Sequence, residues 1–119
     1  MITSLDFVAV PSTDPDRTIA FYTETLGLKK DEKAEYEFWV GDTCFAIWEP
    51  AKMMGSFTPQ SNAHIALHVE DVDAACAQLQ SAGVSFLGDV LDTGVCKMAL
   101  FKDPDGNDVM LHCRYAPRT

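Results

Sequence analysis

The sequence predicts an α+β fold made of two tandem βαβββ modules, on three observations. The chain matches itself at an offset of 57 residues, so that residues 7–10 (FVAV) fall on residues 64–67 (HIAL). Each copy opens with a short β-rich run that ends at an aspartate placed to begin a helix. Three further runs of strand-like composition follow each helix. Two such copies account for the whole chain of 119 residues.

Both helices are predicted from their end residues and their apolar spacing. Asp14 and Asp71 are residue types that cap helix N-termini, and Pro15 follows Asp14 at the first helical position. Gly27 and Gly83 supply the left-handed conformation in which many helices end. The apolar positions that give each helix one buried face are Ile19, Tyr22 and Leu26 in the first copy and Val72, Ala75, Cys76 and Leu79 in the second.

The strands and the connector complete the two modules. A tight turn is predicted at residues 103–106 (DPDG), where Pro and Gly occupy favoured turn positions. Residues 50–62, rich in Pro, Gly, Ser and Met, are interpreted as a linker inside one domain spanning residues 1–119. The modules then cover about 1–52 and 62–119. The predicted opening strands are 5–10 and 64–69, and the strands after the helices are 28–32, 35–40 and 43–49, then 84–87, 95–102 and 108–113.

Composition and charge narrow the choice of partners. Eighteen acidic and nine basic residues give a formal charge of −9, and the basic residues are scattered. A nucleic acid or an anionic membrane surface is therefore not an expected partner. No signal-peptide pattern and no apolar run near the roughly 20 residues that span a bilayer is visible. With four well-separated cysteines, the expectation is a cytoplasmic protein with reduced thiols.

Three segments carry a resemblance to a known superfamily. They are residues 16–28 (DRTIAFYTETLGL), 64–75 (HIALHVEDVDAA) and 101–111 (FKDPDGNDVML). With the duplicated plan, the chain resembles the vicinal oxygen chelate superfamily, which includes glyoxalase I, bleomycin-resistance proteins and extradiol dioxygenases. The resemblance implies two modules whose mixed sheets curl into a cup that holds the active or binding site. It also implies a homodimer.

The resemblance further implies four metal-ligand positions, usually His and Glu, two from each module. In this chain those positions carry Phe7, His64 and Met110, with the fourth near Ala46. Only His64 matches, and the thioether of Met110 does not suit hard or borderline ions. No metal cofactor is therefore expected. The alternative is one divalent metal ion held by relocated ligands, namely His64, His112 and Glu49.

A cup without these ligands is more apolar, and the sequence predicts that it binds a small aromatic or amphipathic molecule. No nucleophile or phosphate-binding motif is present, so no catalytic residue is assigned. Two alternatives stay open: a metal-dependent lyase, isomerase or dioxygenase with rearranged ligands, and a non-catalytic interaction or regulatory dimer. The residues predicted to line the site are Phe7, Trp39, Trp48, His64, Cys96, Met98, Met110 and His112.

Overall fold

The computed structural model describes residues 1–118. These residues divide into two compact units, with the boundary between Gln60 and Ser61. The boundary falls inside the segment 50–62 that the sequence assigned as a linker. Residues 1–60 form unit one and residues 61–118 belong to unit two.

Unit one contains a four-stranded mixed sheet, a helical segment between its first two strands and a short helix after its last strand. The strands are β1 (Phe7–Pro11), β2 (Lys29–Lys30), β3 (Glu37–Val40) and β4 (Thr43–Trp48), and their order in the sheet is β1-β4-β3-β2. β1 is parallel to β4, whereas β3 is antiparallel to both β4 and β2. Helix α1 (Pro15–Ala20) connects β1 to the rest of the sheet, and a second short helix, α2 (Pro50–Met54), follows β4.

Unit two repeats this topology. Its strands are β5 (Ile65–His68), β6 (Leu91–Asp92), β7 (Cys96–Lys102) and β8 (Asp108–Arg114), in the order β5-β8-β7-β6. β5 is parallel to β8, and the other pairs are antiparallel. Helix α3 (Val72–Ser81) follows β5. The βαβββ plan predicted from the internal repeat is therefore confirmed in both units.

The two predicted N-caps are present. The side chain of Asp14 accepts a hydrogen bond from the backbone N–H of Arg17 at 3.3 Å, and that of Asp71 accepts one from Ala74 at 3.0 Å. Each bond satisfies one of the N–H groups that a helix leaves unpaired at its start. The same sequence signal thus begins the equivalent helix of each unit.

The core of unit one is aromatic and lies between the helical segment and one face of the sheet. The Tyr22 ring is fully buried, with its centroid 5.8 Å from that of Phe38 and 5.0 Å from that of Phe45. Tyr22 lies in a π-helical turn, Phe21–Thr25, that continues α1. The wider turn replaces the regular helix that the Ile19, Tyr22, Leu26 spacing predicted. Strand residues alternate between faces, so Phe38 and Phe45 mark the covered face.

Three local predictions are wrong. Residues 84–87 form only a single bridge, from Phe86 to Phe101, and the strand forms later as β6. Gly88, with φ of 77°, interrupts the extended run at this point. The predicted strand 28–32 shortens to β2. The connector contains α2, which has Pro50 in its first turn and Gly55 in the left-handed conformation at its end, so composition alone missed a short capped helix.

The turn between β7 and β8 is fixed by two buried polar side chains. The carboxylate of Asp103 accepts hydrogen bonds from the backbone N–H groups of Asp105 and Asn107, and from the Asn107 side-chain amide at 2.8 Å. Asn107 is 1% exposed. The predicted DPDG turn is therefore confirmed. Its buried polar groups are satisfied by hydrogen bonds within the turn rather than by water.

Replacing Asn107 by alanine should lower the free energy of unfolding by about 1–3 kcal/mol, because it removes a buried donor to a carboxylate. Urea unfolding followed by circular dichroism measures the loss. Gln78→Ala, at an exposed position on α3, is the control and should change stability little. Equal stability of Asn107→Ala and the wild type would contradict the role given to this turn.

Candidate functional site

Each sheet has one face covered by its own helix and one face that is not, here called the helix-free face. In unit one, Phe38 and Phe45 point toward the helical segment, so the alternate positions of β3 and β4 form the helix-free face. In unit two, Lys97 of β7 pairs with Asp73 of α3 at 2.9 Å, which places Cys96 and Met98 on the opposite side.

The helix-free face of unit one carries three of the predicted site residues. Phe7 and Trp39 lie on either side of Cys44 in one row across β1, β4 and β3. Trp48 lies four residues beyond Cys44 on β4, about 13 Å along the strand at the usual rise per residue. Phe7 is 55% exposed and Trp39 43% exposed. The predicted aromatic residues therefore lie on one surface, with Phe7 and Trp39 at one end and Trp48 at the other.

Small side chains separate these aromatic ends. Ala9 and Ala46 are paired in the row between them, and Glu37 is the partner of Ala46 on β3. This row forms a floor of methyl groups with one carboxylate at its side. The arrangement can accept a flat apolar molecule between aromatic side chains, with Glu37 available for a polar group.

Cys44 and Glu37 form a polar contact on this face that the sequence analysis did not single out. The Cys44 thiol donates to Glu37 Oε1 at 3.2 Å. Burial, and then the neighbouring carboxylate, raises the pKa of the Cys44 thiol. A protonated thiol is a weak nucleophile, so Cys44 is suited to packing and hydrogen bonding rather than covalent chemistry.

Asp31 holds the Trp39 ring in place. The indole Nε1 of Trp39 donates to Asp31 Oδ1 at 2.8 Å, while the backbone N–H groups of Ala34 and Lys33 donate to the other carboxylate oxygen. These bonds, led by that from Ala34, lower the pKa of Asp31 to about 2. The orientation of one aromatic residue of the site therefore depends on an ionised carboxylate next to β2.

The helix-free face of unit two carries the other five predicted residues. His112 is level with His68 of β5 and Met98 of β7, and Met110 precedes it on the same face of β8. Cys96 lies two residues before Met98, but it is 8% exposed and its sulfur is 3.2 Å from Thr93 Oγ1. The cysteine is therefore on the predicted face with its thiol already engaged by Thr93.

His64 lies just before β5, at the level of the first residue of β8, and belongs to a separate polar cluster. Its Nε2 is 4.0 Å from Oδ2 of Asp108, which is 5% exposed. Lys102 and the backbone N–H of Asn62 both donate to the Asp108 carboxylate. Lys102 first, then Asn62, lower the pKa of Asp108, so a buried anion stands beside the His64 ring. The sequence analysis missed Asp108, although it lies two residues before Met110 and strand alternation therefore puts it on the same face.

The two histidines of the alternative metal set (His64 and His112, with Glu49) both lie in unit two, where the register separates them. Ile65 is paired with Val109, so His64 stands four residues from the level of His112, or about 13 Å along the strand. Glu49 instead forms an ion pair with Lys52 at 3.3 Å. Side chains that project from one face at this separation do not converge on one ion, and the full set with Glu49 stays a prediction. Within residues 1–118, no three His, Cys, Asp or Glu residues are grouped so that they could hold a metal ion.

The ligand positions usual in the resembling superfamily do not fit a divalent ion either. Phe7 offers no donor atom, and Met110 offers only a thioether. Ala46 lies in the methyl floor between Ala9 and Glu37. One imidazole, His64, is left from the usual set, and no chemistry through a divalent ion is derived for this chain.

A cleft on the covered side of unit two is a competing cavity. It has a volume of about 420 Å³ and lies at the start of α3. The Lys97–Asp73 ion pair forms part of its wall, and Glu70, Asp71, Cys113 and Tyr115 also line it. Its carboxylates suit a polar occupant, whereas the helix-free face of unit one suits an apolar one.

The chain belongs to the superfamily described as Glyoxalase/Bleomycin resistance protein/Dioxygenase, whose family model matches residues 4–111. The resemblance carried by the three sequence segments is thereby confirmed. The fold agrees as well. A member of this superfamily from Sphaerobacter thermophilus superposes with a TM-score of 0.77 at 22% identity, over 93% of this chain and 97% of that one.

Two further relatives carry more specific names. The chain is 32% identical over 107 residues to the "Probable lactoylglutathione lyase" of Vibrio parahaemolyticus, covering 78% of each chain. It is 30% identical to TnmS3, an antibiotic binding protein from Streptomyces sp. CB03234, with a TM-score of 0.75 over 95% of this chain and 97% of that one. These names belong to those proteins. No helix among residues 1–118 is long and apolar enough to cross a membrane.

Replacing Asp31 by asparagine should destabilise the protein at neutral pH and have a smaller effect in acid. Because the folded pKa of about 2 lies below the ordinary value of 3.8, the stabilisation is present above pH 3.8 and lost as the pH falls through 2. Urea midpoints of both proteins at pH 6 and pH 2.5 measure the difference. Glu32→Gln, an exposed neighbour, is the control. A difference that is constant with pH would contradict the role of the ionised carboxylate.

Proposed function

We propose that the protein binds a small aromatic or amphipathic molecule on the helix-free face of unit one without a divalent metal ion. One observation carries the proposal: Ala9 and Ala46 form an apolar floor between the aromatic residues Phe7 and Trp39 at one end and Trp48 at the other. Burying apolar ligand surface against such a floor is favourable by about 25 cal/mol per Å². The resemblance to an antibiotic binding protein supports a binding role over a catalytic one.

The cellular setting is part of the proposal. The four cysteines are free, and Cys44, Cys76 and Cys96 are buried. Free thiols are typical of a reducing compartment, which supports a cytoplasmic protein. The superfamily relationship supports a homodimer. Sedimentation equilibrium, which measures the mass of the assembly in solution, tests this. The acidic charge of −9 supports a small molecule rather than a nucleic acid as the partner.

A fluorescent probe tests the binding surface directly. 1-Aminoanthracene, a flat aromatic amine that fluoresces in apolar surroundings, should bind with enhanced emission and quench tryptophan fluorescence. Trp48→Leu should weaken its binding about fivefold or more, and Ala9→Lys should weaken it at least tenfold by placing a charge on the floor. Ala77→Lys changes an exposed alanine of α3 in the same way and is the matched control.

Two results would overturn this assignment. The first is equal weakening by Ala9→Lys and Ala77→Lys, which would remove the helix-free face of unit one from the binding surface. The second is loss of probe binding after exhaustive dialysis against EDTA, because the proposed binding needs no divalent ion. Circular dichroism of each variant establishes that the fold is retained.

The name of the Vibrio relative favours a second candidate function, a metal-dependent lyase. The donor atoms argue against it, since Phe7 and Met110 occupy two usual ligand positions. Lactoylglutathione lyase activity should therefore be absent with and without added Zn²⁺ or Ni²⁺. Activity that appears with metal and disappears in His64→Ala would establish the lyase and contradict the binding role.

A further inference from the structure

Two histidine and two methionine side chains lie close together on the helix-free face of unit two. His112 stands on the central strand β8, directly opposite His68 of β5 and directly opposite Met98 of β7. Neighbouring strands are about 4.8 Å apart, and opposed side chains on one face have Cβ atoms about 4.5–5.5 Å apart. Met110 lies two residues before His112 on the same strand and the same face. Two imidazoles and two thioethers therefore stand at neighbouring positions of one face, around His112.

The surroundings of these four side chains leave them accessible to a small ion. His112, Met98 and Met110 are half-buried, and the His68 side chain is 61% exposed. Glu70 Oε1 lies 3.1 Å from His68 Nε2, so a carboxylate already orients this ring from outside the cluster. A carboxylate in this position fixes the orientation of a ligating imidazole, as in many metal sites.

The charged groups nearby favour a low ionic charge. Asp108, two residues before Met110, is already engaged by Lys102 and by the backbone N–H of Asn62. Arg114, two residues beyond His112, is a fixed positive charge whose Nη2 donates to the carbonyl of Pro117 at 3.2 Å. Repulsion from Arg114 costs a divalent ion more than a monovalent one.

We propose that His112, Met98 and Met110, together with His68, form a binding site for the monovalent cuprous ion. Thioether sulfur is a soft donor that selects Cu(I), imidazole nitrogen binds copper among other transition metals, and carboxylate, carbonyl and water suit the hard ions. The residue that removes a usual divalent ligand of the superfamily, Met110, here supplies a soft donor. The site does not rest on the proposed function, because it uses the other sheet and different side chains.

Silver ion, a redox-inert substitute for Cu(I), tests the site without chemistry at the metal. The chain has five methionines, so protein labelled with ¹³C at the methionine methyl groups gives five signals. One equivalent of Ag⁺ should shift the signals of Met98 and Met110. The signals of Met1, Met53 and Met54 should stay in place, since these three side chains are exposed and lie outside the cluster. Because the readout is on thioethers, binding to cysteines alone gives a different result.

Variants separate the cluster from the rest of the chain. In anaerobic competition with bicinchoninate, Met98→Leu and His112→Gln should each weaken Cu(I) binding at least tenfold. Met53→Leu is the matched control and should leave it unchanged. Cys96→Ser should also leave it unchanged, because the Cys96 thiol is engaged by Thr93.

Three outcomes would overturn the proposal. The methyl signals of Met98 and Met110 could stay in place with Ag⁺, the Cys96→Ser variant could lose Cu(I) binding, or Zn²⁺ could shift the His112 ring signals at the same concentration. The first shows that there is no thioether site, the second that the cysteine is the donor, and the third that the site is not selective for soft ions. Probe binding by 1-aminoanthracene is unaffected by any of them.

Discussion

Helix packing on only one face of each sheet is the constraint on which the rest of the structure depends. In unit one, Tyr22 packs against Phe38 and Phe45 and covers the apolar side chains of that face. In unit two, α3 buries Val72 and Leu79 and reaches Lys97 through Asp73. Because strand side chains alternate, every second residue of each strand points away from this core and is available to contact a ligand. The proposed binding roles therefore rest on the composition of that second face.

The two helix-free faces differ in chemistry although the units share a topology. The face of unit one is a methyl floor, Ala9 and Ala46, with aromatic residues at its ends. The face of unit two has imidazoles and thioethers around His112, with an ion pair between the buried Asp108 and the exposed Lys102 at one end. Duplication has thus produced two similar scaffolds with different surfaces, one suited to flat apolar molecules and one to a soft ion.

Much of the fold and the face of each candidate residue could be predicted because both depend on local periodicity. The Asp14 and Asp71 caps and the DPDG turn are short-range signals, and the structure confirms them. Alternation likewise separates Phe7, Trp39 and Trp48 from the core positions. Distances across the sheet could not be predicted, because they depend on register. The pairing of Ile65 with Val109 separates His64 from His112 and brings His68 beside His112. No spacing in the sequence indicates this register.

The measurement that tests the central claim most directly is an NMR titration of metal-free, isotope-labelled protein with 1-aminoanthracene. If the helix-free face of unit one is the binding surface, the methyl signals of Ala9 and Ala46 and the indole signal of Trp48 shift together and saturate with the probe. Signals from the covered core and from the cleft around Lys97 stay in place. Shifts confined to Lys97, Cys113 and Tyr115, with Ala9 and Ala46 unchanged, would contradict the account.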